Sequence, residues 1–554
     1  MDVQDPESRP VSPTIRPSAS LDLQTPKEQF EKENATVVVT TEGGLEYPEG
    51  LTLSLITLAL CLSVFLVALD NTIIATAIPK ITDQFQSLDD IGWYGSAYLL
   101  TTAAFQLLFG KLYSFLSIKW VYIVAISIFE LGSLICGVAP NSNALIVGRA
   151  IAGLGSAGIF SGALIIVANT VPLSKRPMYT GLIGAMYGIA SVAGPLMGGA
   201  FTDKSVRRCF YINLPIGAVT LFVIILFFKS PGTSRKGQSL RLVDRIKQFD
   251  PFGTVIFVPA IVSLLLALQW GGSKYPWSNG RIIALFVVFG VLISGFIAIQ
   301  IWKQEDATVP PRILKQRSIL AGSWFALCLG ASFFILVYFL PIWFQAIKGV
   351  SAVKSGIDNL PLILSLVVSS LVSGGVITFV GYYTPFMILS SVLMAVGAGL
   401  ISTFVPSTGH EHWIGYQIIF GFGVGFGMQQ PIIAAQTVLS LQDIPTGTAL
   451  IMFMQTLGGA LFVSVGQNVF TNKLVSGLIS QVPSIDPKIV LNAGATSLQT
   501  AVDAQYLPAV ISVYSQALVS AFYVSIAMAC LSIVGALGME WKSIKGKNIE
   551  MAIA

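Results

Sequence analysis

The chain has 554 residues, 54% of them hydrophobic and 11% charged, with a formal net charge of +5. Soluble domains carry roughly 25% charged residues, so a water-soluble enzyme or nucleic-acid-binding module is excluded and a protein dissolved in a lipid bilayer is indicated. The small positive excess sits in loops and calls for no nucleic acid. Residues 1–50 are rich in Pro, Ser and acids without apolar period, which reads as a disordered tail and not as a cleavable signal. Apolar runs of the length a bilayer requires, about 20 residues, then follow at 51–76, 91–110, 120–139, 144–171, 178–201 and 209–228. Two more lie at 252–270 and 281–302, and a last group at 319–344, 355–379, 384–405, 412–440, 446–470 and 515–538. The pattern predicts an all-α polytopic membrane protein of about 14 transmembrane helices.

An even count puts both termini on one side. The loops on that side hold the larger share of basic residues, among them Lys111, Lys119, Lys175, Arg176, Arg241, Arg245, Lys303, Arg312 and Arg317, which predicts cytoplasmic tails at 1–50 and 541–554. Two connections stand out. Leu242, Val243, Ile246 and Phe249 share one helical face within residues 229–250, as in a helix lying on the membrane surface, and residues 471–514 form the longest external loop. The cysteines Cys61, Cys136, Cys209, Cys328 and Cys530 are scattered through apolar runs, as packing residues are. His410 and His412 stand two apart in an external loop with no further ligands, so no metal site is expected.

Ionisable residues at membrane depth are costly and functional by default. Asp70 in the first run and Arg149 in the fourth lie at similar depth, and Glu130 lies near the middle of the third. A carboxylate between burial and a guanidinium is a proton-coupling candidate, and a permanent structural ion pair is the alternative. The carboxy-terminal half offers instead Trp343, Phe344, Gln345, Tyr416, Phe420, Phe426, Gln429, Gln430 and Gln455, an aromatic and amide set suited to a bulky neutral ligand. Residues 181–201, GLIGAMYGIASVAGPLMGGAF, hold six glycines and a proline, although Gly costs about 1 and Pro about 3 kcal/mol in a helix interior. Gly184, Gly188, Ser191, Pro195 and Gly198 recur at helical spacing and form a face for close helix approach, and Pro195 frees the carbonyl of Ser191. GLGSAG (Gly153–Gly158) fits a dinucleotide fingerprint in letters only: apolar helix flanks it, and Lys175 and Arg176 stand where an acid would be needed.

Several of these segments together resemble the major facilitator superfamily. GIASVAGPLMGG, with Gly188, Gly194, Pro195, Gly198 and Gly199, is similar to its antiporter motif. LDNTIIATAIP (Leu69–Pro79), GRAIAGLGSAG (Gly148–Gly158) and CFYINLPIG (Cys209–Gly217) resemble first-, fourth- and sixth-helix motifs of its fourteen-span drug:proton antiporters, nearest to fungal toxin and secondary-metabolite efflux pumps. The resemblance runs from about 51 to 540 and implies six-helix bundles at 51–228 and 319–540, with the linker and two extra helices at 229–318 between them. It implies proton-driven export of a hydrophobic small molecule by a monomer without cofactor, coupled through Asp70, Glu130 and Arg149, in the plasma membrane or alternatively a vacuolar or vesicle membrane. An iron-chelate uptake carrier and a transport-inactive sensor are the other readings. The sequence departs from the family where Ser114 replaces a loop aspartate, where residues 379–385 lack charge, and where TDKSVRRCF lacks tryptophans.

Overall fold

The computed structural model describes residues 47–85, 91–202, 207–229, 250–272 and 274–545. The surface helix expected within 229–250 and most of both tails lie outside them. In the amino-terminal bundle, α1 (Gly50–Phe85), α2 (Ile91–Phe115), α3 (Ile118–Val138), α4 (Ser142–Thr170) and α5 (Arg176–Thr202) precede the short α6 (Arg208–Tyr211) and α7 (Asn213–Phe227). α8 (Pro251–Trp270) and α9 (Gly280–Lys303) form a hairpin, and α10 (Pro311–Lys315) leads onward. The carboxy-terminal bundle comprises α11 (Arg317–Lys348), α12 (Ala352–Asp358), α13 (Leu360–Val380), α14 (Thr384–Ile401), α15 (His410–Gly427), α16 (Gln430–Val438), α17 (Ile444–Gln481), α18 (Pro487–Ala501) and α19 (Leu507–Gly538).

Among the described residues, 12 helices are long and apolar enough to cross a bilayer. The fourteen-span count is therefore not confirmed on apolarity alone. The two further helices are α2, whose apolar character is diluted by Thr101, Thr102, Gln106 and Lys111, and α5, along which not every residue is described. Both are nonetheless helices of 25 and 27 residues, α2 packed on α4, and α5 on α1 and α13. In α9 only 11% of the most apolar stretch is buried, an apolar surface that water would not tolerate and a bilayer does.

The connection expected as a long loop over 471–514 is mostly helix. α17 continues to Gln481, and α18 starts where the Asp486 carboxylate accepts from the Lys488 N–H at 2.9 Å. No proline stands between 471 and 481, and Leu474 and Leu478 bury against the carboxy-terminal core, so the helix outlasts the strongly apolar run. Likewise α15 begins at His410, so His410 and His412 are helical and not in a loop, packing on Trp413 and Tyr416 respectively.

Small residues set the close helix crossings. A Cβ on Gly155 would stand 2.5 Å from the Phe129 nitrogen of α3, and one on Gly153 2.2 Å from the Tyr98 carbonyl of α2. GLGSAG is thus the surface on which α4 meets two neighbours, in mid-helix. The second bundle repeats the device: Gly421 and Gly425 of α15 face the Leu362 and Leu366 carbonyls of α13, each 2.3 Å from an added Cβ. Close approach of this kind replaces the hydrophobic drive that lipid does not supply.

Candidate functional site

The buried charges converge inside the amino-terminal bundle. Arg149 on α4 and Asp70 on α1, 0% and 1% exposed, form an ion pair through the guanidinium Nη1 and the carboxylate Oδ2. The Arg149 Nε donates to the Tyr94 carbonyl at 2.8 Å, and the guanidinium lies over the Tyr98 ring, 4.4 Å from its centroid. α2 therefore holds the cation with a backbone carbonyl and an aromatic face. The other carboxylate oxygen, Oδ1, accepts from the Asn213 side-chain amide at 3.1 Å, and that amide also donates to Ser133 Oγ at 3.0 Å. Helix rise is about 1.5 Å per residue, so Arg149, seven residues into α4, lies about 10 Å below that helix end. A charge pair at such depth persists only when matched and hydrogen-bonded, and Asp70 has both oxygens engaged.

Glu130 does not join this pair directly. Its carboxylate rests over Gly217 of α7, where an added Cβ would fall 1.8 Å from Oε1. Both of its oxygens are buried without a hydrogen-bond partner. It sits one turn from Ser133 on α3, just as Gly217 sits one turn from Asn213 on α7. The α3–α7 contact thus stacks Glu130 beneath the Asn213–Ser133 bridge. Tyr94, Tyr98, Ser133 and Asn213 escaped the sequence reading as individual residues. Only Asn213 carried a signal, as part of CFYINLPIG.

The antiporter-motif glycines face two partners, not one. Gly188 meets Val367 of α13 in the opposite bundle, as Gly184 meets Gln429 and Gly181 the Ser370 carbonyl, whereas Gly194 abuts Thr72 of α1 within its own bundle. Gly198 is buried, and Pro195 and Gly199 lie on α5 with their side-chain surroundings outside what is described. The small-residue face therefore reaches the seam between bundles over Gly181–Gly188.

The aromatic set expected to line a ligand cavity is for the most part core. Trp343 and Phe420 are 0% exposed. Trp343 donates its indole N–H to Ser515 Oγ at 3.2 Å and packs with Phe344 and Phe404, and Phe344 packs with Trp413. The helical period of α11 turns this stretch inward, which the sequence alone did not reveal. Tyr416 stacks on Phe404, Phe426 packs on Phe386, Gln345 donates to Ser355, and Gln430 donates to Ser373 and to the Phe426 carbonyl. Gln429 reaches the seam, and Gln455 is half-buried on α17 with its backbone against Gly330.

At the end carrying Lys111 and Lys175 the bundles are in close contact. Gly110 leaves only 2.5 Å between an added Cβ and Ala449 of α17, and Gly374 only 2.5 Å to the Pro177 carbonyl. Ser114 hydrogen-bonds Thr446 at 3.2 Å, a neutral bridge in the place of the family's usual loop aspartate. Lys111, buried, donates to the Ala307 carbonyl at 2.5 Å. The segment around Ala307 is tied down by Asp250, which accepts from Lys303, Gln300 and the backbone and hydroxyl of Thr308 at 2.8–3.0 Å. Burial alone would raise the Asp250 pKa, but these donors hold it below the ordinary carboxylate value. Arg312 then bridges Glu305 and Asp443 at 3.1–3.3 Å. A continuous chain of contacts runs from α2 through the α8–α9 hairpin to α17.

The all-helical architecture agrees with what comparison with known proteins finds. The sequence profile described as Major Facilitator Superfamily matches residues 60–463. The chain belongs to the major facilitator superfamily, a family of membrane transporters. Relatives in this superfamily include "MFS-type efflux pump MFS1" of Arthroderma benhamiae, 63% identical over 506 residues, covering 91% of this chain and 94% of the relative. The "Aspyridones efflux protein" of Neocamarosporium betae is 51% identical over 505 residues, covering 91% and 90%. Among solved superfamily structures, the proton:xylose symporter XylE shares the fold with a TM-score of 0.55 at 12% identity, over 89% of this chain and 98% of that one.

Proposed function

We propose that this transporter exports a hydrophobic, uncharged small molecule, of the secondary-metabolite or toxin class, in exchange for protons. Its relatives at high identity carry efflux names, and one of these names aspyridones as its substrate. The observation that carries the coupling is the sealed Asp70–Arg149 pair. While Asp70 is ionised, attraction to Arg149 binds α1 to α4. A proton on Asp70 abolishes that attraction and frees the guanidinium to seek other acceptors, so the two protonation states favour different helix arrangements. Glu130, one turn deeper and without a hydrogen-bond partner, is a second proton-carrying group in this reading.

Substrate binds between the bundles near the bilayer midplane, with Gln429 and Gln455 on its carboxy-terminal wall. That bundle's helices carry charge only near their ends, at Lys348, Asp358 and Glu411 for example, so an anion would be desolvated there without a cation. The protein acts as a monomer in the plasma membrane, with both tails cytoplasmic and the Lys111 end facing the cytosol. The test is flux in proteoliposomes carrying a pH gradient. Asp70→Asn is expected to bind substrate yet fail to accumulate it against the gradient. Full accumulation by that variant at every pH would remove Asp70 from coupling. Substrate entry accompanied by cotransported protons would instead make the protein an uptake carrier.

A further inference from the structure

We propose that Asn213 is a positioning residue that reads the protonation state of Asp70 and passes it to α7. The inference rests on Asp70 being the coupling carboxylate. The Asn213 side chain is 0% exposed and touches both Asp70 Oδ1, at 3.1 Å, and Ser133 Oγ, at 3.0 Å, through the same amide nitrogen. An ionised carboxylate only accepts hydrogen bonds, so the amide must present its NH2 group, which has two donors for two acceptors. Its carbonyl Oδ1 is left buried without a partner, as is the outer Nη2 of Arg149.

Protonation reverses the requirement. With Oδ2 held by Arg149, a hydronium ion gives up one O–H bond, its proton forms an O–H bond at Oδ1, and a water molecule is released. Asp70 Oδ1 then has to donate, and an NH2 group cannot accept. Rotation of the Asn213 amide by half a turn presents its carbonyl, whose two lone pairs accept from Asp70 and from a reoriented Ser133 hydroxyl. The displaced NH2 group takes the place where Oδ1 lacks a partner now. Either orientation leaves one end of the amide unmet, so neither is favoured until Asp70 decides. Asn213 is the first residue of α7, joined to α6 through Ile212, which keeps helical φ and ψ, so its side chain acts near the start of one continuous helix. Gly217, one turn on, rests under the Glu130 carboxylate, so movement of α7 alters that contact as well.

The groups facing this pair are Tyr94 and Tyr98 of α2, Glu130 and Cys136 of α3, Arg149 of α4 and Cys209 of α6. Arg149 and Glu130 bear directly on the charge of Asp70, so the test follows Asp70 itself. Asn213→Leu removes a donor from the ionised form, and charge-assisted bonds are about twice as strong as neutral ones. The pH midpoint of substrate–proton exchange is therefore expected to move upward, by about three- to tenfold in proton affinity.

A spectroscopic readout avoids dependence on that variant folding. Acid-minus-alkaline infrared difference spectra of the intact protein carrying isotope-labelled asparagine are expected to show a side-chain amide band that titrates with the Asp70 carboxyl band and disappears in Asp70→Asn. A carboxyl band that titrates without an amide change, with an unmoved midpoint in Asn213→Leu, would overturn the role of Asn213 alone. A pH profile unchanged in Asp70→Asn would overturn the coupling carboxylate and this inference with it.

Discussion

Removing one member of the Asp70–Arg149 pair is expected to harm the protein more than removing both. Asp70→Leu leaves a guanidinium that is 0% exposed without its counter-charge. Breaking a buried pair in this way costs about 3–5 kcal/mol. Three partners remain, the Tyr94 carbonyl at 2.8 Å, the backbone carbonyl of residue 70 at 3.4 Å and the Tyr98 ring at 4.4 Å, so the lower end applies, about 3 kcal/mol or roughly a hundredfold in the folding equilibrium. For a bundle of this size each kcal/mol shifts the melting temperature by about 2–4 °C, giving a fall of roughly 6–12 °C. In Asp70→Leu/Arg149→Leu no stranded charge remains, and less than half of that fall is expected. The assay is thermal unfolding of the purified protein in detergent, with proton-driven transport measured in parallel and absent from both variants. If Asp70→Leu melts with the unaltered protein, or the double variant falls by the sum of the two single ones, the pair is not a matched, desolvated ion pair and the coupling argument loses its basis.

Cysteines placed at Ser114 and Thr446, whose hydroxyls lie 3.2 Å apart, are expected to cross-link in a background lacking the native cysteines. The cross-link should arrest transport until it is reduced, and a failure to form under oxidation would contradict closure at this end. Gly374→Val drives a branched side chain toward the Pro177 carbonyl, 2.5 Å from the first added carbon, and should lower the yield of that cross-link and shift the population away from the closed state. An unchanged yield counts against α5–α13 contact in closure. Gly155→Ala places a methyl 2.5 Å from the Phe129 nitrogen and is expected to destabilise the bundle by about 1–3 kcal/mol, read as a lower melting temperature. The Asp250 carboxyl titrates below its ordinary value, so its stabilising contribution is complete above the unfolded value near 4 and is lost as pH falls through the folded one. Thermal stability should stay flat in this respect near neutrality and drop in acid, and Asp250→Asn should flatten the acid limb.

The sequence by itself determined what depends on local composition and period. Apolar runs located every membrane-length helix, because a helix that satisfies its own backbone is the structure lipid permits a single segment, although α1, α17 and α19 extend well past their runs. Asp70 and Arg149 were legible as partners because two opposite charges at equal depth have nowhere else to go. The glycines of α5 were legible as a close-approach surface, since no other residue leaves room for a neighbouring backbone, and those of α4 and α15 take the same role in the fold. What only the tertiary structure decided is which surfaces meet. Trp343 and Phe420 turn into the carboxy-terminal core, while Gln429 turns out to the seam, and nothing in their composition distinguishes those fates. Gly188 and Gly194 belong to one motif yet serve different neighbours, because six residues along a helix change the face. Asn213 is an ordinary amide in the chain, and it acquires meaning only where α1, α3 and α7 bring Asp70 and Ser133 to the same nitrogen. Ser114 reads as the loss of a loop aspartate. In the fold, closure at that end is carried by the Thr446 hydroxyl, the Ala307 carbonyl and Asp443, whose hydrogen bonds span 332, 196 and 131 residues, because hydrogen bonds join groups that are near in space and the order of the chain does not record that proximity.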